Sequence, residues 1–248
     1  MNGILAIDIG NTSTHYALHR NGRFLKRGRV ATSALLKNIR VFRKFRGPGT
    51  SVEAVIASVV PPVGDRLRGA LKKLGFKTFL IGRDVAVPIK NRYRNPRQVG
   101  IDRLVNALAA WRRYRRDLVI VDFGTAVTFD VVSKKGEYLG GVIAPGIEIS
   151  LEALYRKTAL LPRIELRRPK TVVGRDTAES IRSGCSYGIG GLCDRVIEEI
   201  EKSRRTRCLV LATGGYAAFI RRYCRRIRLI DPDLTLKGIV LTRLPKKP

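Results

Sequence analysis

Two short segments of this sequence repeat a pattern of residues that suits phosphate chemistry. One runs from Asp8 to Thr12 (DIGNT) and the other from Asp122 to Ala126 (DFGTA), and each follows an apolar run. Glycine lets the backbone approach a bulky anion, and backbone N–H groups and a threonine hydroxyl can donate hydrogen bonds to phosphate oxygens. The aspartate is repelled by phosphate, so its natural task is to hold a bridging cation or its water shell. The pattern therefore predicts two phosphate-binding turns.

The alternative is that each segment is an ordinary strand-ending turn, where Asp and Gly are common. One copy alone would favour that interpretation. Two copies with matching apolar lead-ins, 114 residues apart, favour a functional repeat instead. The spacing is about the size of one small domain and indicates two related halves.

Apolar runs and turn residues predict an α/β layer fold around these turns. The first half is expected to contain strands at 3–9, 14–20, 23–30, 52–59 and 76–81, and helical segments at 33–45 and 63–74. A long polar loop at 84–99 and a helix at 102–114 follow. The second half is expected to contain strands at 118–123, 126–133 and 208–212, and helices beginning near 151, 176 and 216. The predicted domains are 1–116 and 117–248.

Composition favours a globular protein without a membrane segment. The chain has 248 residues, 44% of them hydrophobic, and no apolar run as long as a membrane helix requires. No basic leader precedes the first apolar run, which argues against a signal peptide. Four cysteines without a Cys-x-x-Cys pair, and only two histidines, argue against a zinc site or a disulfide framework. We therefore expect reduced thiols and a cytoplasmic location.

The formal net charge of +29 raises the question of a nucleic-acid partner. The basic residues are scattered, however, and no recognition helix, zinc-finger spacing or aromatic-basic ladder accompanies them. The densest cluster, 221–226, is expected to be a solvated face. The charge thus predicts non-specific binding to polyanions and no specific nucleic-acid site.

A third glycine-containing loop completes the candidate nucleotide site. Thr213-Gly214-Gly215 follows a predicted strand and precedes a predicted helix, which suits close approach to a nucleotide. The chain has no Gly-Lys dipeptide, which excludes an ordinary P-loop. Two phosphate turns and this loop together suggest ATP held between two lobes.

An ordered set of further motifs extends over nearly the whole chain. They are ASVVP at 57–61, GIDR at 100–103, GG at 140–141, PG at 145–146, TA at 158–159, LP at 161–162, VGRDT at 173–177, ATGG at 212–215 and DPDLTL at 231–236. With the two turns, this set resembles the type III pantothenate kinases of the actin, Hsp70 and sugar kinase superfamily. The resemblance implies two related ribonuclease H-like lobes with a nucleotide cleft between them. It also implies ATP-dependent phosphorylation of pantothenate, the first step of coenzyme A biosynthesis.

The same resemblance implies the partners and the roles of individual residues. It implies Mg²⁺ with ATP, a monovalent cation (K⁺ or NH₄⁺), and a homodimer with the pantothenate pocket near its interface. Asp8 would lie near Mg²⁺, Asp122 near the monovalent cation, and Asp102 would accept the substrate proton. The residues expected at ATP are Asp8, Ile9, Gly10, Asn11, Thr12, Ser13, Thr14, His15, Thr125, Gly214 and Gly215. Those expected at pantothenate are Tyr93, Gly100, Ile101, Asp102, Arg103 and Thr177.

The residues by themselves leave alternatives open. Asp102 begins a predicted helix, so it would also serve as a plain helix cap. Arg103 suits a substrate carboxylate, and it would equally suit a solvent-facing helix position. Two rival functions remain at this point: a kinase for another small alcohol, and a non-catalytic regulator of the same fold that binds nucleic acid. The intact set of Asp8, Asp102, Arg103 and Asp122 argues against the regulator.

Overall fold

A computed structural model describes residues 3–46 and 51–244 of the chain. It divides into two compact units. The first comprises Met1–Tyr114, Gly136–Tyr138 and Asp233–Pro248, and the second comprises Arg115–Lys135 and Leu139–Pro232. The division after residue 116 expected from the sequence lies close to the first change of unit, whereas Asp233–Pro248 belongs to the first unit.

The described residues form eleven strands and six α-helices. The strands are β1 (Gly3–Ile9), β2 (Ser13–Arg20), β3 (Arg23–Ala31), β4 (Val52–Ser58), β5 (Lys77–Leu80), β6 (Lys90–Asn91), β7 (Leu118–Phe123), β8 (Ala126–Val132), β9 (Glu137–Pro145), β10 (Leu209–Thr213) and β11 (Leu229–Ile230). The helices are α1 (Pro61–Lys73), α2 (Ile101–Tyr114), α3 (Ile147–Lys157), α4 (Thr177–Arg204), α5 (Ala217–Ile220) and α6 (Leu234–Leu241). Short 3₁₀ segments lie at Thr32–Ala34, Ile39–Phe45 and Pro96–Gln98.

The sheet of the first unit has the order β3-β2-β1-β4-β5. Strand β1 pairs antiparallel with β2 and parallel with β4. Successive side chains of a strand point to opposite faces, and β1 separates two cores in this way. Leu5 and Ile7 pack with the α1 side chain Leu67, whereas Ala6 packs with Val105 of α2 and Ile239 of α6. Both faces of β1 are therefore buried, as its uninterrupted apolar run predicts.

The second unit repeats this topology. Its strands have the order β11-β10-β7-β8-β9. Here β7 pairs antiparallel with β8 and parallel with β10, just as β1 pairs with β2 and β4. Asp8 and Asp122 are the penultimate residues of the two equivalent strands, β1 and β7. The repeated order confirms the prediction of two related α/β lobes.

Three segments differ from the elements expected. The helical spacing at 33–45 corresponds to the 3₁₀ segments Thr32–Ala34 and Ile39–Phe45. Neither β9 nor α6 has a counterpart among the elements predicted from the sequence. Both depend on tertiary packing, which overrides weak local preferences. In α6, Gly238 lies against the backbone of Val105 so closely that a Cβ would overlap it.

Within the described ranges, no helix is both long enough and apolar enough to cross a membrane. All four cysteines are free thiols. The cluster of glycines at 188–191 lies inside α4, where Gly190 packs against the backbone of Tyr223. That segment therefore serves helix packing.

Candidate active site

The first Asp-x-Gly turn connects β1 to β2 in the first unit. The Gly10 N–H donates to the Ser13 carbonyl at 3.1 Å, which closes the turn. A Cβ on Gly10 would lie 3.0 Å from that carbonyl oxygen, so the tight turn favours glycine at this position. Asn11 and Thr12 are exposed at the tip of this turn.

Thr32 stabilises this turn through hydrogen bonds, a role that was not predicted from the sequence. Its hydroxyl donates to the Gly10 carbonyl at 2.7 Å and lies 3.1 Å from the Thr14 hydroxyl. Its backbone N–H donates to the Thr12 carbonyl at 3.0 Å. Three bonds from one residue fix both ends of the turn. Because Thr32 is remote in sequence and precedes no recognisable motif, only the fold reveals this role.

The residues from Asp8 to His15 divide by the direction of their side chains. Ile9 lies in the apolar core, and the buried Thr14 is bonded to Thr32, so these two can offer a ligand only backbone groups. Asp8 pairs in register with His15, whose Nε2 lies 3.1 Å from the Ser13 hydroxyl. Cross-strand partners share one face of the sheet. Asp8, Ser13 and His15 therefore provide the side-chain chemistry of this face.

His15 also faces Arg29, its in-register partner on β3. Burial lowers the pKa of His15 below its ordinary value, and the charge of Arg29 lowers this pKa further. The imidazole is therefore neutral at neutral pH and can donate or accept a hydrogen bond without adding charge. The exposed Arg29 supplies positive charge beside the turn.

The second turn lies in the other unit, between β7 and β8, and Gly214 packs against it. Asp122 pairs in register with Thr213, the last residue of β10. The next residue, Gly214, has φ +90°. A Cβ there would overlap the Asp122 carboxylate and lie 2.6 Å from the Phe123 carbonyl carbon. The structure thus brings together Asp122 and the glycine loop.

A third backbone segment closes around the same turn. Gly146, just before α3, lies so close to the Thr125 carbonyl that no side chain fits between them. The Gly124 N–H donates to the Ala126 carbonyl at 3.1 Å, which closes the turn itself. On the far side, the Tyr216 hydroxyl donates to Glu148 at 2.7 Å and links the glycine loop to α3. The β7–β8 turn, the glycine loop and the segment before α3 therefore lie together in the second unit.

Asp102 lies in the first turn of α2, in the first unit. The helix begins at Ile101, so Asp102 is the second helical residue and not the residue before the helix. Its carboxylate accepts a hydrogen bond from the Arg103 N–H at 2.8 Å and lies over Gly100, where a Cβ would overlap it. Burial raises the pKa of Asp102 above its ordinary value, although the Arg103 charge and N–H oppose this. A carboxylate with a raised pKa is a better proton acceptor than an ordinary aspartate.

Gly100 and the first turn lie at one edge of the first sheet. The Val59 N–H donates to the Ile9 carbonyl at 3.0 Å, directly beyond the ends of β1 and β4. A Cβ on Gly100 would lie 3.7 Å from the Val59 side chain, in ordinary contact. Val59 therefore connects the end of β1, with its turn, to the segment that carries Asp102. Ligands of parallel sheets bind at this carboxyl edge of the strands.

Two of the predicted pantothenate residues of the first unit, Tyr93 and Arg103, lie beside the same aromatic ring. Arg103 is buried, and its guanidinium carbon lies 5.8 Å from the centre of the Tyr138 ring. The Tyr93 ring lies 6.4 Å from the same ring. Thr177 belongs to the second unit, where it is the exposed first residue of α4. It lines a groove between α3 and α4 together with Leu154 and Ile181.

Asp8, the residue predicted to lie near Mg²⁺, suits a metal ion that is held mainly by substrate phosphates. In the described part of the chain, no three His, Cys, Asp or Glu side chains cluster as a protein-only metal site would require. Mg²⁺ at kinase sites is typically held by one or two carboxylates together with substrate phosphates and water. The single carboxylate of Asp8, beside a glycine turn, fits that arrangement.

The duplicated topology and its paired Asp-x-Gly turns define the class of the protein. The fold is that of the actin, Hsp70 and sugar kinase superfamily. The crystal structure of an inorganic polyphosphate/ATP-glucomannokinase from Arthrobacter sp. strain KM has a similar fold, with a TM-score of 0.51 and 14% identity over 97% of this chain and 98% of that one.

Sequence comparison identifies the family within that class. The family model described as type III pantothenate kinase matches residues 4–199. The type III pantothenate kinase of Persephonella marina is 42% identical over 95% of this chain and 96% of the relative. That of Syntrophotalea carbinolica is 38% identical over 98% and 99%. The chain belongs to the type III pantothenate kinase family.

Proposed function

We propose that this protein transfers the γ-phosphoryl group of ATP to the hydroxyl of pantothenate, giving 4′-phosphopantothenate in the first step of coenzyme A biosynthesis. Membership of the family supports the substrate and the reaction. The observation that carries the mechanism is Asp102, a carboxylate with a raised pKa at the carboxyl edge of the first sheet. It is placed next to the segment that the family resemblance assigns to pantothenate.

The chain's own residues would position the reactants and neutralise charge, which is most of the work in phosphoryl transfer. Backbone N–H groups at the tip of the turn between Gly10 and Ser13 would donate to ATP phosphates, and Asp8 would hold Mg²⁺ through its carboxylate. Thr125 and the loop Gly214-Gly215 would contact the nucleotide. Bound Mg²⁺ supplies positive charge at the phosphates. Asp122 would hold the monovalent cation beside them.

Asp102 would orient the pantothenate hydroxyl and accept its proton as the bond to phosphorus forms. Arg103 would bind the pantothenate carboxylate, because a guanidinium can donate two parallel hydrogen bonds to it. Tyr93, Gly100 and Ile101 would line the same pocket. The buried position of Arg103 over the Tyr138 ring supports a fixed role rather than a solvent-facing one.

The first test of this function is an ATP-consumption assay with and without pantothenate. We expect turnover that depends on pantothenate and Mg²⁺ and that increases when K⁺ or NH₄⁺ replaces Na⁺ at equal ionic strength. Turnover with another small alcohol but not with pantothenate would identify the rival kinase instead. Activity equal in all monovalent salts would remove the cation role of Asp122.

The partner we propose for this chain is a second copy of itself, docked on the groove between α3 and α4. The groove has a volume of about 710 Å³ and carries apolar side chains such as Leu154 and Ile181. Gly184 and Gly188 on α4 have open space above them, which allows another helix to approach closely. Thr177, expected at pantothenate, lines the same groove, which supports a pocket near the dimer interface.

Leu154→Glu should dissociate this dimer, because it would bury an unpaired charge in an apolar interface. We expect the mass measured by light scattering to fall from that of a dimer towards 27.7 kDa, with loss of pantothenate turnover. Leu25→Glu is the matched control, since Leu25 is an exposed leucine on β3. A dimer that persists in Leu154→Glu, or one disrupted equally by Leu25→Glu, would rule out this interface.

A further inference from the structure

The tripeptide Gly136–Tyr138 belongs to the first unit, although the residues on either side of it belong to the second. Gly136 has φ +77° and packs against the indole of Trp111 in α2, where a Cβ would overlap the ring. A positive φ and this close approach both require glycine. The turn therefore holds Glu137 and Tyr138 beside α2 and the loop at 84–99.

Glu137 fixes that loop through its side chain and its backbone. Its Oε1 accepts from Arg92 Nη2 at 2.7 Å and Arg92 Nε at 3.0 Å, and it lies 3.5 Å from Lys90 Nζ. The strand pairing aligns Lys90 with Glu137 and Asn91 with Tyr138. Hydrogen bonding from Arg92 holds the pKa of Glu137 below its ordinary value, so the pair is ionic at neutral pH.

Asn91 in turn fixes the backbone of Tyr93 through a hydrogen bond. The Asn91 Oδ1 accepts from the Tyr93 N–H at 3.0 Å, and the Asn91 side-chain amide donates to the Pro96 carbonyl at 3.3 Å. The Arg92 N–H donates to the Tyr138 carbonyl at 2.8 Å. The backbone before Tyr93 is therefore held against the start of β9, and the backbone of Tyr93 and Pro96 is held to the Asn91 side chain.

Tyr138 then links the two predicted substrate contacts. Its side chain is completely buried, with the Tyr93 ring 6.4 Å away and the Arg103 guanidinium 5.8 Å away. A cation over an aromatic face is attracted to it, most strongly where water is excluded. Movement of Tyr138 would therefore displace both a loop residue and a helix residue of the proposed pocket.

We propose that Glu137 and Tyr138 are positioning residues of the pantothenate pocket, a role that rests on the proposed function. Neither contacts the reacting atoms. They order Tyr93 and Arg103 before the substrate arrives, which reduces the entropic cost of binding. Their removal should weaken pantothenate binding and leave ATP binding and the chemical step nearly intact.

A double-mutant cycle on the ion pair tests this role. Glu137→Gln and Arg92→Gln should each raise the KM for pantothenate about threefold to tenfold, and the double variant should raise it no more than either single one. kcat and the KM for ATP should stay within about twofold of wild type. Arg94→Gln is the control, because it removes the same charge from the same loop and no hydrogen bond or ion pair of the Arg94 side chain is found among the described residues.

Variants of Tyr138 distinguish a role in positioning the substrate contacts from a role in folding alone. Tyr138→Leu should raise the KM for pantothenate more than Tyr138→Phe, which keeps the ring beside Tyr93 and Arg103. Additive effects in the cycle, or a fall in kcat and a rise in both KM values together with a lower Tm, would overturn the proposal. Absence of pantothenate turnover in the wild type would instead overturn the proposed function itself.

Discussion

Replacing Asp102 by Asn should reduce kcat about 10²- to 10⁴-fold, the range over which positioned proton acceptors contribute to catalysis. The amide keeps an oxygen that can accept the Arg103 N–H, now 2.8 Å from the carboxylate. Its shape also fits above Gly100, so the pocket should retain its geometry. The KM for ATP should remain near that of wild type. The measurement is steady-state kinetics with both substrates varied.

The same substitution should preserve or increase the stability of the protein at neutral pH. Burial raises the pKa of Asp102 in the folded state, so protonation of this group favours folding. That contribution is fully present below the unfolded pKa of about 3.9, and it is lost as the pH rises through the folded pKa. At pH 7 the charge of the buried Asp102 therefore destabilises the folded state, and Asn removes that charge. A lower Tm for Asp102→Asn at pH 7 would indicate that the residue acts as a helix-terminal support.

The pH profile of the wild type gives an independent check. The proton acceptor must be deprotonated, so kcat/KM should fall as the pH decreases through the raised pKa of Asp102. The acidic limb should therefore lie above pH 3.9, the range of an ordinary aspartate. Any weak activity left in Asp102→Asn should lack this limb. A limb unchanged in the variant would assign it to another group.

The sequence was most informative where local pattern alone determines structure. The apolar runs before Asp8 and Asp122 predicted β1 and β7, because a strand buried on both faces needs no alternation. Helix α6 was not predicted, because it is short and apolar and has Gly238 in its interior. Glycine there is unfavourable in isolation, and it is explained only by the backbone of Val105 lying against it.

The candidate site shows the same division between local and distant effects. The Asp-x-Gly turns are recognisable because their residues are consecutive. Thr32 and Tyr138 act through contacts with residues far along the chain, and no motif marks them. The raised pKa of Asp102 likewise depends on burial, which a sequence pattern does not report. The catalytic role assigned to Asp102 is a prediction that the experiments above decide.

Gly214→Ala should strongly destabilise the second unit, and Gly215→Ala is its matched control. At Gly214 a Cβ would overlap the Asp122 carboxylate and lie 2.7 Å from the Phe123 nitrogen, with φ at +90°. Overpacking costs about 1–3 kcal/mol, and a left-handed backbone adds about 1–2 kcal/mol. At Gly215 a Cβ would meet no atom within 4 Å, and its φ is not positive.

We therefore expect Gly214→Ala to lower the Tm by about 5–15 °C, because each kcal/mol of lost stability lowers the Tm of a chain of this size by about 2–4 °C. Gly215→Ala should shift the Tm little. Because the added methyl displaces Asp122, the stimulation of turnover by K⁺ or NH₄⁺ should also disappear in Gly214→Ala at temperatures where it is folded. Differential scanning fluorimetry and cation titrations measure the two effects separately. If Gly214→Ala kept both the wild-type Tm and its cation response, close packing of Gly214 against Asp122 would not be what maintains this turn.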